Sequence, residues 1–176
     1  IRRLKSDLVD ADGNPLYARR TLQALEVPYT AEERKIHRKL DDYCASREKG
    51  AAETGSTFGT SFVNQLLKKR LFSSPAAFAS TLEKHIASLS NGAKPKAQDA
   101  MAERILRKAI LKVNEDYAND QDVESAQSEA VEEASRRAQP LTVDQQKLLN
   151  ELRQWAQSAK NQVDAKAKAI LDWLTT

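Results

Sequence analysis

The sequence predicts a mainly α protein, a bundle of about four to six helices with one short N-terminal strand or hairpin. Three observations carry that expectation. The 176 residues include only five glycines and five prolines and are rich in Ala, Leu, Lys, Glu and Gln, the residues that cost least in a helix. Apolar side chains recur at three- and four-residue intervals through most of the length, the period of one helix face. Capping signals stand immediately before the periodic stretches, at Thr30/Glu33, at Ser74-Pro75 and at Thr142/Gln145.

In chain order, Asp10 to Pro15 concentrates turn formers. Thr21 to Val27 then alternates Leu22, Leu25 and Val27 with β-branched Thr21 before Pro28 stops it, which predicts a strand. A lone strand is unstable and must join a neighbouring sheet. Thr30 opens a helix whose apolar face is Ile36, Leu40, Tyr43 and Cys44, expected to fade into a linker over Arg47 to Gly55. Phe58, Phe62, Val63, Leu66 and Leu67 predict the next helix, and Ser74-Pro75 restarts the chain into Phe78, Leu82, Ile86 and Leu89. Residues 57–90 therefore form a helical hairpin. After a break at Ser90 to Pro95, Met101, Ile105, Ala109, Ile110, Val113 and Tyr117 mark another helix. Residues 118–140 are acidic and nearly free of large apolar residues, and so predict an acidic flexible linker or a solvated helix outside the core. Leu148, Leu149, Leu152, Trp155, Ala159 and Val163 belong to a last segment, 141–176. That segment is either one long helix or two, with Asp164 capping a final helix that carries Ile170, Leu171 and Leu174.

The formal charge of +3 hides opposite local signs. Arg2, Arg3, Lys5, Arg19 and Arg20 make the start basic, whereas Glu115 to Glu133 contains eight acidic residues and no basic one. A single cysteine, Cys44, excludes an internal disulfide and a cysteine-built zinc site and suits a cytoplasmic location. No apolar run approaches the ~20 residues that span a bilayer, so no membrane partner is expected. The opening residues lack the apolar segment of a signal peptide, and the first residue, Ile1, is expected of a processed chain or of part of a longer one.

Three stretches stand in a recognisable order: Ile1-Arg-Arg-Leu-Lys5 with the strand Leu22 to Pro28 and Tyr29-Thr-Ala-Glu-Glu-Arg34; then Phe62 to His85; then Asp164 to Leu174. They resemble the passage that closes the first RecA-like lobe of Swi/Snf-like helicases of superfamily two, the helical element that bacterial members insert between lobes, and the helix that begins the second lobe. The resemblance implies that residues 1–29 are the tail end of the first lobe, 30–117 a helical inter-lobe domain, 118–140 a linker, and 141–176 the approach to the second lobe. It also implies a parent ATPase that uses ATP and Mg, with the two lobes and double-stranded DNA as partners. The family's phosphate-binding loop, its magnesium-holding Asp-Glu box and its arginine fingers have no counterpart in this sequence, so no catalytic residue is carried over. The chain itself is expected to be non-catalytic, with no cofactor or metal of its own.

The candidate nucleic-acid contacts are Lys68, Lys69 and Arg70, with Arg2, Arg3 and Lys5 as a second cluster. Consecutive cations can neutralise phosphates without reading sequence. The same residues also suit the negative end of a helix or a solvated face, and Arg2, Arg3 and Lys5 equally suit pairing with nearby carboxylates. His37 and His85 lack ligand-spaced partners, Ser73 and Ser74 read as a cap, and Cys44 reads as core. Trp155 and Trp173 are either bundle residues or anchors for a protein partner. The competing function is accordingly a helical protein-interaction scaffold without nucleic-acid binding, docking through the hairpin and Trp155.

Overall fold

Reciprocal capping decides where the first helix begins. Thr30 Oγ1 accepts the Glu33 amide at 3.1 Å, while Glu33 Oε2 accepts the Thr30 amide at 2.7 Å. The computed structural model describes residues 7–18, 21–54, 57–90, 100–113 and 119–175. Those residues form seven helices: α1 (Ala31–Thr54), α2 (Thr57–Ser73), α3 (Pro75–Ser90), α4 (Ala100–Lys112), α5 (Asp120–Arg136), α6 (Val143–Ala159) and α7 (Ala165–Leu174). The helical class is as expected, with one helix more than the upper expectation. No helix among the described residues is long and apolar enough to cross a membrane.

Four helices close a ring in which α1 packs on α2, α2 on α3, α3 on α6, and α6 back on α1. The stripes Ile36, Leu40, Tyr43 and Cys44, then Val63, Leu67 and Leu71, then Phe78 and Leu82, and finally Leu149, Leu152 and Ala156 fill its interior. Leu40, Leu67, Leu82, Leu149 and Leu152 are each at most 2% exposed, and full burial of such a side chain stabilises by roughly 1.5–3 kcal/mol. The Ser74 hydroxyl accepts the Ala77 amide at 3.1 Å and Pro75 is the first residue of α3, so the hairpin turns at the expected residue.

Three expectations are corrected. Arg47 to Thr54 continue α1 rather than a linker, because Arg47 and Ala51 extend the buried face of Leu40 and Tyr43 by further turns. The acidic stretch is not outside the core: α5 packs on α2, α3 and α4 and buries Ala126, Ala130, Val131, Ala134 and Ser135. Small side chains let it approach closely. A Cβ added to Gly59 of α2 would lie 3.2 Å from Leu106 Cδ2 and 3.5 Å from Ala134 Cβ, so α2, α4 and α5 meet around a missing side chain. The predicted strand also fails to form, since residues 21–30 are neither helix nor strand, and Leu22 is 83% exposed. Its alternation is real, but among the described residues no sheet edge offers its backbone a partner.

Ahead of that extended stretch, the predicted turn is present. Asp10 Oδ1 accepts the amides of Asp12 and Asn14, Gly13 takes φ 83°, and Val9 and Pro15 make an isolated antiparallel bridge. At the other end Asp164 caps a separate α7, accepting the Ala167 amide at 2.6 Å, so the last segment is two helices. No residue of α7 is buried. Arg2, Arg3, Lys5, Arg19 and Arg20, the break at Asn91 to Pro95, and Tyr117 lie outside the described residues.

Candidate functional site

The three cations Lys68, Lys69 and Arg70 sit near the end of α2, where about 100° of rotation per residue separates neighbours. Lys68 turns toward α1 and pairs with Asp41, Nζ to Oδ1 at 2.7 Å, a bond that raises its pKa. Arg70 turns the other way and donates from Nη2 to Gln127 of α5. Its Nε is sealed from water without a partner. Lys69, between them, is exposed and forms no ion pair with any described residue. The triplet is thus contiguous in sequence but divided in space, with one cation directed outward.

A polar cluster crosses the bundle interior beneath this face. Tyr43 Oη and His85 Nε2 are 2.7 Å apart, and His85 Nδ1 lies 2.7 Å from the Ser135 hydroxyl, linking α1, α3 and α5. Burial, aided by the positive charge of Arg47, drives the His85 pKa down to about 3, so the ring is neutral. Burial likewise raises the Tyr43 hydroxyl and pushes the Cys44 thiol up to about 12, which makes it an inert core residue. Although it contains a serine and a histidine, the cluster is closed to substrate because Ser135 is 1% exposed. It fixes how three helices pack.

Arg47 is a further buried polar residue, 6% exposed, donating from Nη1 to the Gln139 carbonyl at 2.9 Å and to Gln145 Oε1 at 3.3 Å. Gln145 is shared: it completes the Thr142 capping box of α6 and donates from Nε2 to Ser46 at 2.8 Å. Neither His85 nor Arg47 was expected as an interior group. The signal was present, because each continues an apolar stripe by three or four residues, Leu82 to His85 and Tyr43 to Arg47.

The chain joins and leaves the helical body at one end. Glu33 Oε1 accepts the Ala165 amide at 3.1 Å while its other oxygen holds Thr30, so one carboxylate fastens the start of α1 to the start of α7. Burial opposes ionisation of Glu33, but the Thr30 and Ala165 amides outweigh it and leave its pKa lowered. Around this clasp, Lys166 Nζ donates to the Phe72 and Ser73 carbonyls, Arg34 donates to the Tyr29 carbonyl, and His37 lies between Tyr29 and Phe72 at ring-centre distances of 5.4 and 4.6 Å. Trp155 is half-buried against Phe78, whereas Trp173 is 54% exposed beside exposed Ile170, Leu171 and Leu174. The chain matches no known protein-family model, no curated protein and no solved structure.

Proposed function

We propose that this chain is the non-catalytic helical region between the two ATPase lobes of a Swi/Snf-like ATP-dependent DNA translocase, acting in the cytoplasm to couple lobe closure to movement on duplex DNA. The observation that carries the reading is the clasp at Glu33. A module inserted between two lobes needs its two chain connections side by side, and Thr30 and Ala165 meet on one carboxylate. The apolar side chains of Leu22 and Leu25, before that junction in sequence, and of Ile170, Leu171, Trp173 and Leu174, after it, are all exposed and would be covered by the lobes. The resemblance of the flanking and hairpin segments supports the choice of family. ATP and Mg would be held by the lobes, because no phosphate loop or acidic box is present in this sequence to take them.

The full polypeptide carrying this chain is expected to hold a phosphate-binding loop ahead of residue 1 and arginine fingers beyond residue 176, and to hydrolyse ATP faster when duplex DNA is added. Sequencing its coding region and assaying its ATPase test this together. A polypeptide with neither lobe sinks the reading. The second reading, a protein-docking scaffold that touches no DNA, is favoured by the engagement of Lys68 by Asp41 and of Arg70 by Gln127. Duplex titration of the same polypeptide at two salt concentrations separates the readings, since phosphate contacts weaken as salt rises.

A further inference from the structure

We propose that the pocket between the C-terminal half of α1 and the amino end of α6 is a binding site for a compact oxyanion, a phosphate or carboxylate group, held side-on by Arg47. The argument begins with an unbalanced charge. A guanidinium taken out of water without a counter-charge is costly, and buried cations are ordinarily paired with carboxylates. Arg47 is 6% exposed, yet its only hydrogen bonds among the described residues run from Nη1 to two neutral oxygens, those of Gln139 and Gln145. The Nε and Nη2 donors bond no described residue and are not sealed from solvent, and they form the edge that grips two oxygens of one anion in parallel.

Space and field agree with this chemistry. A pocket of about 140 Å³ opens beside the guanidinium, walled by Arg47, Gly50, Thr60, Gln139, Thr142 and Gln145. That volume falls below the roughly 300–1,000 Å³ of sites for larger organic ligands and suits an ion of a few heavy atoms. Thr142 caps α6, so the positive end of a 17-residue helix faces the same space. Glu53 stands at the rim and forms no ion pair with Arg47, so it weakens the field for an anion without neutralising the arginine. The unquenched charge is felt elsewhere too, since Arg47 adds to the burial that keeps His85 unprotonated.

The site is independent of the translocase reading and is tested on the 176-residue chain, isotopically labelled, by nuclear magnetic resonance. Sodium phosphate and sodium acetate are titrated separately, with sodium chloride at matched ionic strength as reference. Saturable shifts of the Arg47 Nε–H and of the Gly50 and Ala51 amides are expected with phosphate, acetate or both; saturation by only one assigns the anion's geometry, planar or tetrahedral. Arg47→Lys, which keeps the charge but loses the fork, should weaken binding by about tenfold or more. Should that variant not fold, Glu53→Gln on the exposed rim decides, tightening binding by about two- to fivefold. Shifts no larger than those with chloride, unchanged affinity in a folded Arg47→Lys, or no tightening in Glu53→Gln overturns the proposal.

Discussion

His85 is the ionisable side chain for which burial has the largest consequence in solution. Its pKa is about 3 in the fold against an ordinary 6.5, so between those values the unfolded chain binds a proton that the folded chain refuses. Its contribution is therefore intact above pH 6.5 and is lost as pH falls toward 3, at up to about 1.4 kcal/mol per pH unit. His37, whose pKa burial also lowers, adds in the same direction. Urea unfolding at pH 7, 6 and 5 should show stability declining with acid, and His85→Gln should flatten that decline; an unchanged slope in the variant refutes the assignment. On the DNA-contact reading a second residue-scale outcome concerns Lys69. Lys69→Ala should reduce the slope of log affinity against log salt by about one, with a smaller effect for Lys68→Ala because Asp41 already engages that ammonium. Equal effects of the two substitutions would contradict the outward role of Lys69.

At the scale of elements, α5 is the informative case. Its buried face is Ala126, Ala130 and Ala134, a four-residue repeat of small side chains set in a field of Glu and Asp. Reading sequence for large apolar residues passes over such a helix, because its burial comes from close approach around Gly59 rather than from bulk. The stripes Ile36-Leu40-Tyr43 and Phe78-Leu82 were legible for the opposite reason, since bulky residues at helical spacing have one economical arrangement. The strand expectation at Leu22 to Val27 failed because alternation specifies a face but not the neighbour that must pair with it. Of the candidate site, the composition of the cation triplet was legible, but its division between α1 and α5 depends on partners, Asp41 and Gln127, that are distant in sequence. Ala130→Leu should overpack the buried face of α5 and cost roughly 1–3 kcal/mol by thermal or urea unfolding. No measurable loss would return α5 to the role of a solvated linker. Ser74→Ala should cost about 1 kcal/mol through the lost cap of α3, measured the same way.

For the whole molecule, the distribution of burial separates a body from an appendage. α1, α2, α3 and α6 close on themselves and α4 and α5 brace one side, whereas α7 buries nothing and touches the rest mainly through Glu33, Phe72 and Ser73. Removing residues 164–176 should therefore lower unfolding free energy by less than about 1 kcal/mol, the scale of a few exposed polar contacts. A loss several times larger would mean that α7 belongs to the body. The Glu33 clasp has a mechanical corollary. Force applied between residue 29 and residue 165 falls first on the Glu33 carboxylate and on Lys166 against the Phe72 and Ser73 carbonyls, so tension along the chain is taken up at the base before it reaches the hydrophobic interior. Once those polar contacts let go, Ala165 and the helix behind it, which buries nothing, peel away first, and the bundle acts as a rigid block carried on a releasable strap.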